Sequence, residues 1–321
     1  MKTLLIIGGT GFFGKSILDA FNRGLLKPWQ IAKVIVMSRN AQTLKTEAPL
    51  LLNENVELLS ADITATDFLP YADYVIHAAA STDVRNYINQ PETEKKNIQA
   101  GTYHYCDLAK KFHQKSKIVY TSSGAVYGTQ PSHIPQINEN EVPSGLIHID
   151  IAKQSYALAK QDAELAIQQL GTEGLNVSIA RCFAFVGCWL PRNQHFAIGN
   201  FIEDAINKRP IAVKATHKVY RSYMYADDLV EWLMTIADSA SSDCPVYNVG
   251  SDHAVILGDL ATTIASRTDS QADVPSISES KIDRYVPSTE KAKTALGLTL
   301  KYDLNASIDA TIQKIYQQLN N

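Results

Sequence analysis

The chain has 321 residues, of which 45% are hydrophobic and 20% charged, so it can bury a core large enough for a main domain with a smaller one attached. The formal net charge is −3 and no basic run is present, which argues against a nucleic-acid-binding protein. No apolar run approaches the roughly 20 residues of a transmembrane helix, and the N-terminus leads straight into a strand pattern, so we expect a cytoplasmic protein without a signal peptide. The four cysteines are scattered and form no C-x-x-C pair, so free thiols and no metal site are expected.

The chain opens with a strand pattern, a glycine-rich turn and a helix pattern. Residues 3–7 predict a strand buried on both faces, and an amphipathic pattern starts at Lys15. Glycines in the turn would let the backbone approach a pyrophosphate, and the helix N-terminus offers it unpaired N–H groups. We therefore predict dinucleotide binding here rather than a glycine-rich hairpin or a plain helix entry. The predicted contacts are Gly8, Gly11, Phe12, Phe13 and Gly14.

The second strand pattern bears on the choice of cofactor. Residues 32–37 lead to Ser38 and Arg39, near the position where NAD-preferring folds place an acidic residue on the ribose 2′-hydroxyl. This chain has no carboxylate there, and a hydroxyl followed by a cation suits a 2′-phosphate. The sequence therefore favours NADP over NAD as the cofactor. The alternative is that Arg39 is simply exposed in a loop and binds no phosphate.

Two further strand patterns precede candidate cofactor contacts. Residues 56–59 lead to Asp62, which could accept from the adenine amino group while Ile63 packs on the ring; an exposed turn aspartate is the alternative. Residues 74–80 predict a fourth strand that ends in three small residues, which leave room for a cofactor ribose, and His77 is expected to pack in the core. The small residues are Ala78, Ala79 and Ala80.

Two long helix patterns, 94–113 and 153–170, alternate with strand patterns at 117–121 and 177–182. Strand and helix therefore alternate with short connections along the first half of the chain. This alternation predicts an α/β fold with a doubly wound, Rossmann-like parallel sheet.

The second long helix carries a candidate acid–base pair. Tyr156 and Lys160 are separated by four residues, which places them on one face, one turn apart. A tyrosine of pKa about 10 is a poor base at neutral pH, but a nearby lysine and a positively charged nicotinamide would stabilise its phenolate. Ser123, at a strand end, could hold the same substrate oxygen. The alternative is that Tyr156 and Lys160 are an ordinary exposed pair on a helix. Because the chain also has the glycine turn, we predict that Ser123, Tyr156 and Lys160 are catalytic.

From Phe183 onward the periodicity loosens, with a helix predicted at 197–207 and a strand at 246–250. This half is expected to form a smaller, interwoven lobe over the carboxyl ends of the strands, where open α/β sheets bind ligands. The predicted division is 1–184 plus about 219–250 for the dinucleotide-binding domain, and about 185–218 plus 251–321 for the substrate-binding lobe.

The ordered motifs resemble the extended short-chain dehydrogenase/reductase family, in particular its NAD(P)-dependent nucleotide-sugar epimerase/dehydratase group. The resemblance covers essentially the whole chain. It implies that Tyr156 removes a proton from a sugar hydroxyl, most often at C4, as hydride passes to the nicotinamide. It also implies that Lys160 holds the nicotinamide ribose and that Asn97 lies near the cofactor. The motifs are Gly8 to Gly14, Ser122-Ser123, Val126-Tyr127-Gly128, Tyr156-x-x-x-Lys160, and Arg221 with Asp227-Asp228.

The resemblance further implies substrate contacts and a homodimer. Arg221 matches an arginine that neutralises the diphosphate of a sugar nucleotide. Weaker candidates for holding the nucleotide are Arg284-Tyr285 and residues 196–200. The dimer would form through the 94–113 and 153–170 helices in a four-helix bundle. The candidate substrate contacts are Thr82, Ser123, Asn200, Arg221 and Arg284.

Two departures from the family pattern narrow the function. Dehydratases of the group place an Asp-Glu pair directly after the hydroxyl residue, whereas Gly124 and Ala125 cannot transfer protons. Ala184 replaces the asparagine of the R-x-F-N run, which puts that substrate contact in doubt. The leading hypothesis is a 4-epimerase or a 4-keto reductase of a nucleotide-diphosphate sugar. The alternatives are an NADPH-dependent reductase of a non-nucleotide carbonyl compound and a non-catalytic dinucleotide-sensing protein.

Overall fold

A computed structural model describes residues 1–80, 88–142, 146, 151–192 and 194–319 of the chain. Its main feature is a sheet of seven parallel strands in the order β11-β6-β5-β4-β1-β2-β3. In chain order the strands are β1 (Lys2–Ile7), β2 (Ile31–Ser38), β3 (Val56–Ser60), β4 (Tyr74–His77), β5 (Lys117–Ser123), β6 (Asn176–Cys182), β7 (Phe185–Val186), β8 (Ile211–Ala212), β9 (His217–Arg221), β10 (Met224–Tyr225), β11 (Val246–Val249), β12 (Val255–Ile256), β13 (Ala272–Asp273) and β14 (Ser278–Tyr285).

Helices cover both faces of the sheet, as the doubly wound fold requires. In chain order they are α1 (Phe12–Asn22), α2 (Leu44–Glu47), α3 (Pro91–Phe112), α4 (Ile151–Thr172), α5 (Ala197–Ile206), α6 (Ala226–Asp238), α7 (Leu257–Ser266), α8 (Glu290–Leu296) and α9 (Leu304–Leu319). One core cluster joins the sheet to α1 and α6, and another joins it to α3 and α4. Since strands buried on both faces must be apolar throughout, β1 reads as the nearly continuous run Leu4 to Ile7.

The predicted alternation of strands and helices is confirmed, with shifts at the ends. The first helix begins at Phe12 rather than at Lys15, so Gly14 lies inside its first turn. The helix α7 was missed because its apolar positions fall in the part of the sequence where the periodicity loosens.

A separate core gathers residues from the second half of the chain. It contains side chains of α5, α7 and α9, such as Ile202, Ile264 and Ile312. The strands β12, β9 and β14 form a small sheet in the same half. This second core supports the proposal of a substrate-binding lobe, whose boundaries stay a prediction.

Among the helices described, none combines the length and the apolar composition that a membrane span needs.

The close packing of the first turn of α1 gives a test of stability. A Cβ on Gly14 would stand 2.0 Å from the carbonyl oxygen of Gly9, so Gly14→Ala must push the turn apart. We expect it to lower the free energy of unfolding by about 2 kcal/mol or more, measured by urea unfolding. Gly11→Ala is the control, because a Cβ there would have no neighbour nearer than 3.8 Å and the backbone φ is −81°. An equal loss in both variants would contradict the steric explanation.

Candidate active site

The glycine turn packs against the end of β4. The backbone of Gly8 has φ +85°, in the left-handed region, and a Cβ there would lie 2.6 Å from Cα of Ala79 and 2.7 Å from the carbonyl oxygen of Ala78. The structure thus brings the predicted turn and the predicted small residues together. Gly11 begins α1 without a side-chain cap, which leaves the first N–H groups of the helix available to an anion.

The two phenylalanines of the turn are partly buried and pack against the core. The rings of Phe12 and Phe13 pack on Phe185, with centroids 6.2 Å and 5.4 Å away. These aromatic contacts hold the turn in place.

At the end of β2, Ser38 Oγ lies 3.1 Å from Thr10 Oγ1, so this hydroxyl is joined to the glycine turn. Arg39 is exposed, and its charge contributes to lowering the pKa of Asp62. The larger cause of that lowered pKa is the backbone N–H of Thr64, 2.9 Å from the carboxylate of Asp62. Ile63 is only 9% exposed, so little of its side chain is left for an adenine ring.

Two other predicted residues lie farther along the chain. Asn97 is exposed on α3, two turns from the helix start. Thr82 lies outside the described residues.

The three predicted catalytic residues come together at the carboxyl end of β5. Ser123 ends the strand, and its Oγ accepts a hydrogen bond of 3.1 Å from the N–H of Ala125. Tyr156, on α4, lies close enough to Ser123 for the serine hydroxyl to lower the pKa of its phenol. Lys160 is 3% exposed, and its Nζ lies 6.0 Å from the centre of the Tyr156 ring.

Groups of β5 bind the ammonium of Lys160. Its Nζ donates to the carbonyl oxygen of Thr121 at 2.8 Å and to the hydroxyl of Tyr120 at 3.2 Å. The Tyr120 ring also lies under the ammonium, 4.7 Å from centroid to Nζ. Burial nevertheless lowers the pKa of Lys160 to about 8, partly offset by Cys182 and Glu164.

Burial raises the pKa of Tyr156 to about 12, and the nearby Ser123 hydroxyl acts in the opposite direction. The ammonium of Lys160 lies 6.0 Å from the centre of the ring, and its stabilisation of the phenolate stays a prediction. A positively charged nicotinamide beside the phenol would lower the pKa further.

His77 is a core residue, which confirms the sequence interpretation. Its side chain is fully buried, edge-on to Tyr105 with ring centroids 4.7 Å apart. Burial lowers its pKa to about 3, so the ring stays neutral.

A buried ionic network joins the ends of β5 and β6, and it was not predicted from the sequence. The carboxylate of Glu164 accepts from Ser122 Oγ at 2.5 Å and from the guanidinium of Arg181 at 2.8 Å. Arg181 also donates to the hydroxyl of Tyr127 at 2.9 Å, and Tyr127 donates to Asn248 of β11 at 2.8 Å. The only signal in the sequence was the polar character of these residues within apolar patterns.

Tyr285 reaches the site from the far end of the chain. Its hydroxyl oxygen lies 2.8 Å from the position that a Cβ on Gly124 would take, and burial raises the pKa of the phenol while the nearby Ser123 hydroxyl lowers it. The ring of Phe183 lies 2.7 Å from the same position, so the packing leaves no room for a side chain at 124. Sequence order carried no signal for this contact, because the partners are far apart along the chain.

The two candidate arginines lie on opposite faces of the small sheet. Arg221 is paired with Tyr285 across β9 and β14, whereas Arg284 is paired with Tyr220. Arg221 forms two hydrogen bonds with the carboxylate of Asp283, of 3.2 Å and 3.0 Å. The guanidinium of Arg284 stacks 4.1 Å above the Tyr220 ring.

Asn200 binds within its own segment. Its Nδ2 donates to the carbonyl oxygen of Gln194 at 2.6 Å, and its buried Oδ1 has no partner among the described residues. Within the same residues, no three acidic, histidine or cysteine side chains gather as metal ligands.

The buried lysine gives a pH-dependent test. The pKa of Lys160 is about 8 in the folded protein and 10.5 unfolded, so between these values the unfolded chain binds more protons and stability rises with pH. From pH 7 to 9.5 we expect wild type to gain about 2 kcal/mol in the free energy of unfolding relative to Lys160→Met. Urea unfolding at both pH values measures this difference, and parallel pH profiles would contradict it.

The sequence model of the NAD dependent epimerase/dehydratase family matches residues 4–250. UDP-glucuronic acid decarboxylase 1 of Danio rerio is 27% identical over 99% of this chain and 73% of its own length. UDP-glucuronic acid decarboxylase 1 of Arabidopsis thaliana is 27% identical over 99% of this chain and 71% of its own.

Solved structures share the fold. UDP-glucose 4-epimerase of Thermotoga maritima, solved with UDP-glucose, has a TM-score of 0.79 and 20% identity over 99% of this chain and 100% of its own. MoeE5, solved with UDP-glucose and NAD, has a TM-score of 0.79 and 19% identity over 99% of each chain. With the family model covering most of the sequence, the chain belongs to the NAD-dependent epimerase/dehydratase family, enzymes that use an NAD(P)-type cofactor on nucleotide sugars.

Proposed function

We propose that this enzyme transfers hydride at C4 of a nucleotide-diphosphate sugar, as a 4-epimerase or a 4-keto reductase. The observation that carries the proposal is the grouping of Ser123 and Tyr156 beside a buried Lys160, at the carboxyl end of β5. The hydroxyls and the lysine suit alcohol–ketone chemistry, in which a proton and a hydride leave or join one carbon.

In the proposed reaction, Ser123 holds the reacting sugar oxygen and Tyr156 takes its proton, or returns a proton to the ketone. Lys160 keeps a positive charge close to the phenolate at neutral pH, because its pKa of about 8 lies above that pH. The dinucleotide, when bound, supplies or accepts the hydride. The glycine turn and α1 would hold its pyrophosphate.

The absence of a proton-transferring side chain at positions 124 and 125 supports this assignment over a 4,6-dehydratase. Phe183 and Tyr285 fill the space beside Gly124, so no carboxylate could be placed there. Redox-neutral epimerisation and simple keto reduction need no second acid–base group on the sugar.

Decarboxylation of a nucleotide-linked uronic acid is the second candidate. It is favoured by relatives named UDP-glucuronic acid decarboxylases, which match 95–100% of the chain at 24–27% identity.

For the cofactor we propose NADP rather than NAD, supported by Ser38 and the exposed Arg39 at the end of β2. Denaturing the purified protein and identifying the released dinucleotide tests this choice. Near-stoichiometric NAD⁺ would contradict it and favour an epimerase, since an epimerase recycles its cofactor within one turnover.

We also propose a cytoplasmic homodimer that pairs α3 and α4 of two copies. Tyr103 on α3 is 48% exposed and Leu165 on α4 is 64% exposed, so each helix presents apolar surface. A monomer in sedimentation at micromolar concentration would contradict the dimer.

The catalytic proposal is tested with UDP-glucose, UDP-galactose, UDP-glucuronate and a UDP-4-keto sugar, each with NAD⁺, NADH, NADP⁺ or NADPH. We expect turnover of a neutral or 4-keto sugar nucleotide, and Tyr156→Phe should lower kcat by about 10²–10⁴-fold because the acid–base group is lost. Turnover of UDP-glucuronate alone would favour the decarboxylase. A Tyr156→Phe enzyme with unchanged kcat would contradict the role of Tyr156.

The ion pair of Arg221 gives a binding test that needs no turnover. If Arg221 binds the diphosphate, Asp283 competes with the ligand for it. We expect Arg221→Ala to weaken UDP binding about 10–100-fold, and Asp283→Asn to tighten it several-fold, both by calorimetry. Asp309→Asn, which frees Arg267 from a comparable pair of 2.9 Å, is the control and should bind UDP like wild type. An Arg221→Ala enzyme with wild-type binding would favour a non-nucleotide substrate.

A further inference from the structure

A buried tyrosine lies beneath the lysine of the proposed active site. Tyr120 is in the middle of β5 and is 1% exposed, paired with His77 of β4 on one side and with Ile179 of β6 on the other. Strands covered on both faces are mostly apolar, because a buried hydroxyl without a hydrogen-bond partner costs free energy. A hydroxyl at this place is therefore expected to have a specific partner.

That partner is the ammonium of Lys160. Its Nζ donates to the Tyr120 hydroxyl at 3.2 Å and lies 4.7 Å from the centre of the Tyr120 ring. The same ammonium donates to the carbonyl oxygen of Thr121 at 2.8 Å. An ammonium has three N–H donors, so β5 uses two of them and leaves one for Tyr156 or for a ligand.

The tyrosine is the fixed member of this pair. Its backbone is held by a strand on each side, and its ring packs on His77 with centroids 5.4 Å apart. The side chain of Lys160 is a flexible four-carbon stem, so the position of its charge depends on the groups that bind it.

We propose that Tyr120 is a positioning residue, which keeps the Lys160 ammonium charged and fixes it beside Tyr156. The inference rests on the proposed function, since this charge affects the reaction only if Tyr156 becomes a phenolate. Tyr120 would act through Lys160 and would not itself exchange a proton with the substrate.

Burial opposes the charged form of the lysine. It lowers the pKa of Lys160 to about 8, so the charge is close to being lost at neutral pH. A hydrogen bond to an ionised group stabilises that form, and removing the bond lowers the pKa of a lysine. Without the Tyr120 hydroxyl, we therefore expect a large part of Lys160 to be neutral at pH 7.

Among the described residues, other titratable groups face Lys160 from its own helix and from three strands. They are Tyr156 and Glu164 on α4, His77 on β4, Tyr120 on β5 and Cys182 on β6. Burial raises the pKa of Tyr156 and of Cys182 to about 12, raises that of Tyr120 further, and lowers that of His77 to about 3. The carboxylate of Glu164 is paired with Arg181 at 2.8 Å.

The test follows the ionisation of Lys160 directly. Protein labelled with ¹³Cε-lysine is titrated from about pH 5.5 to 10, and the Lys160 signal is identified by its loss in Lys160→Met. In Tyr120→Phe we expect the midpoint to lie about one pH unit lower, so that the neutral fraction of Lys160 at pH 7 rises about fivefold. Phenylalanine keeps the ring and removes only the hydroxyl, so the fold should be retained, which thermal unfolding checks.

The control is Tyr105→Phe, which also removes a buried hydroxyl. Tyr105 is fully buried and also packs on His77, with ring centroids 4.7 Å apart, but its hydroxyl is hydrogen-bonded to His113 Nδ1, 3.4 Å away. This variant should leave the Lys160 midpoint unchanged.

An unshifted Lys160 midpoint in Tyr120→Phe would overturn the proposal, and so would an equal shift in Tyr105→Phe. The wild-type protein gives a second measurement that needs no variant. Nuclear Overhauser effects are expected between the ε protons of Lys160 and the ring protons of Tyr120, and their absence would also overturn the proposal.

Turnover of a sugar nucleotide, if found, adds a kinetic readout. We expect kcat to fall as the pH rises past the pKa of Lys160, because a neutral lysine does not stabilise the phenolate. In Tyr120→Phe this decline should begin about one pH unit lower with KM unchanged, and a change in KM alone would contradict the positioning role. The Lys160 titration needs no substrate, so it stays decisive even if every sugar nucleotide tested is inert.

Discussion

The burial of one positive charge governs how the rest of the site is built. Lys160 lies almost without solvent contact between α4 and the sheet, and an isolated ammonium there would be costly. The carbonyl oxygen of Thr121 and the hydroxyl and ring of Tyr120 offset part of that cost. All three come from β5, so the strand that ends in Ser123 also holds the lysine. The same strand therefore positions Ser123 and stabilises the charge of Lys160.

A second set of buried polar contacts joins distant parts of the chain behind the site. The side-chain oxygen of Asn248 on β11 accepts a hydrogen bond from the Tyr127 hydroxyl, and its Nδ2 donates to the carbonyl oxygens of Ile137 and Ser288. Because Tyr127 follows Ser123 by a single 3₁₀ turn, the loop after β5, the edge strand β11 and the segment after β14 are held as one unit. Buried polar groups favour one packing arrangement only when they have hydrogen-bond partners, and the side chains of Tyr127 and Asn248 have them in this network.

Local patterns in the sequence were enough to predict the sheet, the glycine turn and the Tyr156–Lys160 pair, because each depends on residues close together in the chain. Apolar runs define strands, and the spacing of four defines one helix face. The position of Tyr285 beside Gly124 and the pairing of Asp283 with Arg221 could not be predicted in this way. They depend on the register of β14 against β9 and on how that small sheet meets β5, and neither is encoded in any short stretch. The position of Lys160 was predicted but its partners were not, since a pattern shows which face a side chain takes and not which atoms it meets.

The packing around Gly124 has a consequence for how such an enzyme could change its reaction. An acidic residue at this position would collide with both Phe183 and Tyr285. A single substitution toward a second acid–base group would therefore destabilise the packing without yet providing a new catalytic function. The neighbouring rings would have to shrink first or at the same time. The two halves of the chain therefore constrain each other's evolution at this point. A mutational path from this site to an enzyme that catalyses elimination must include coordinated changes at residues that lie far apart in the sequence.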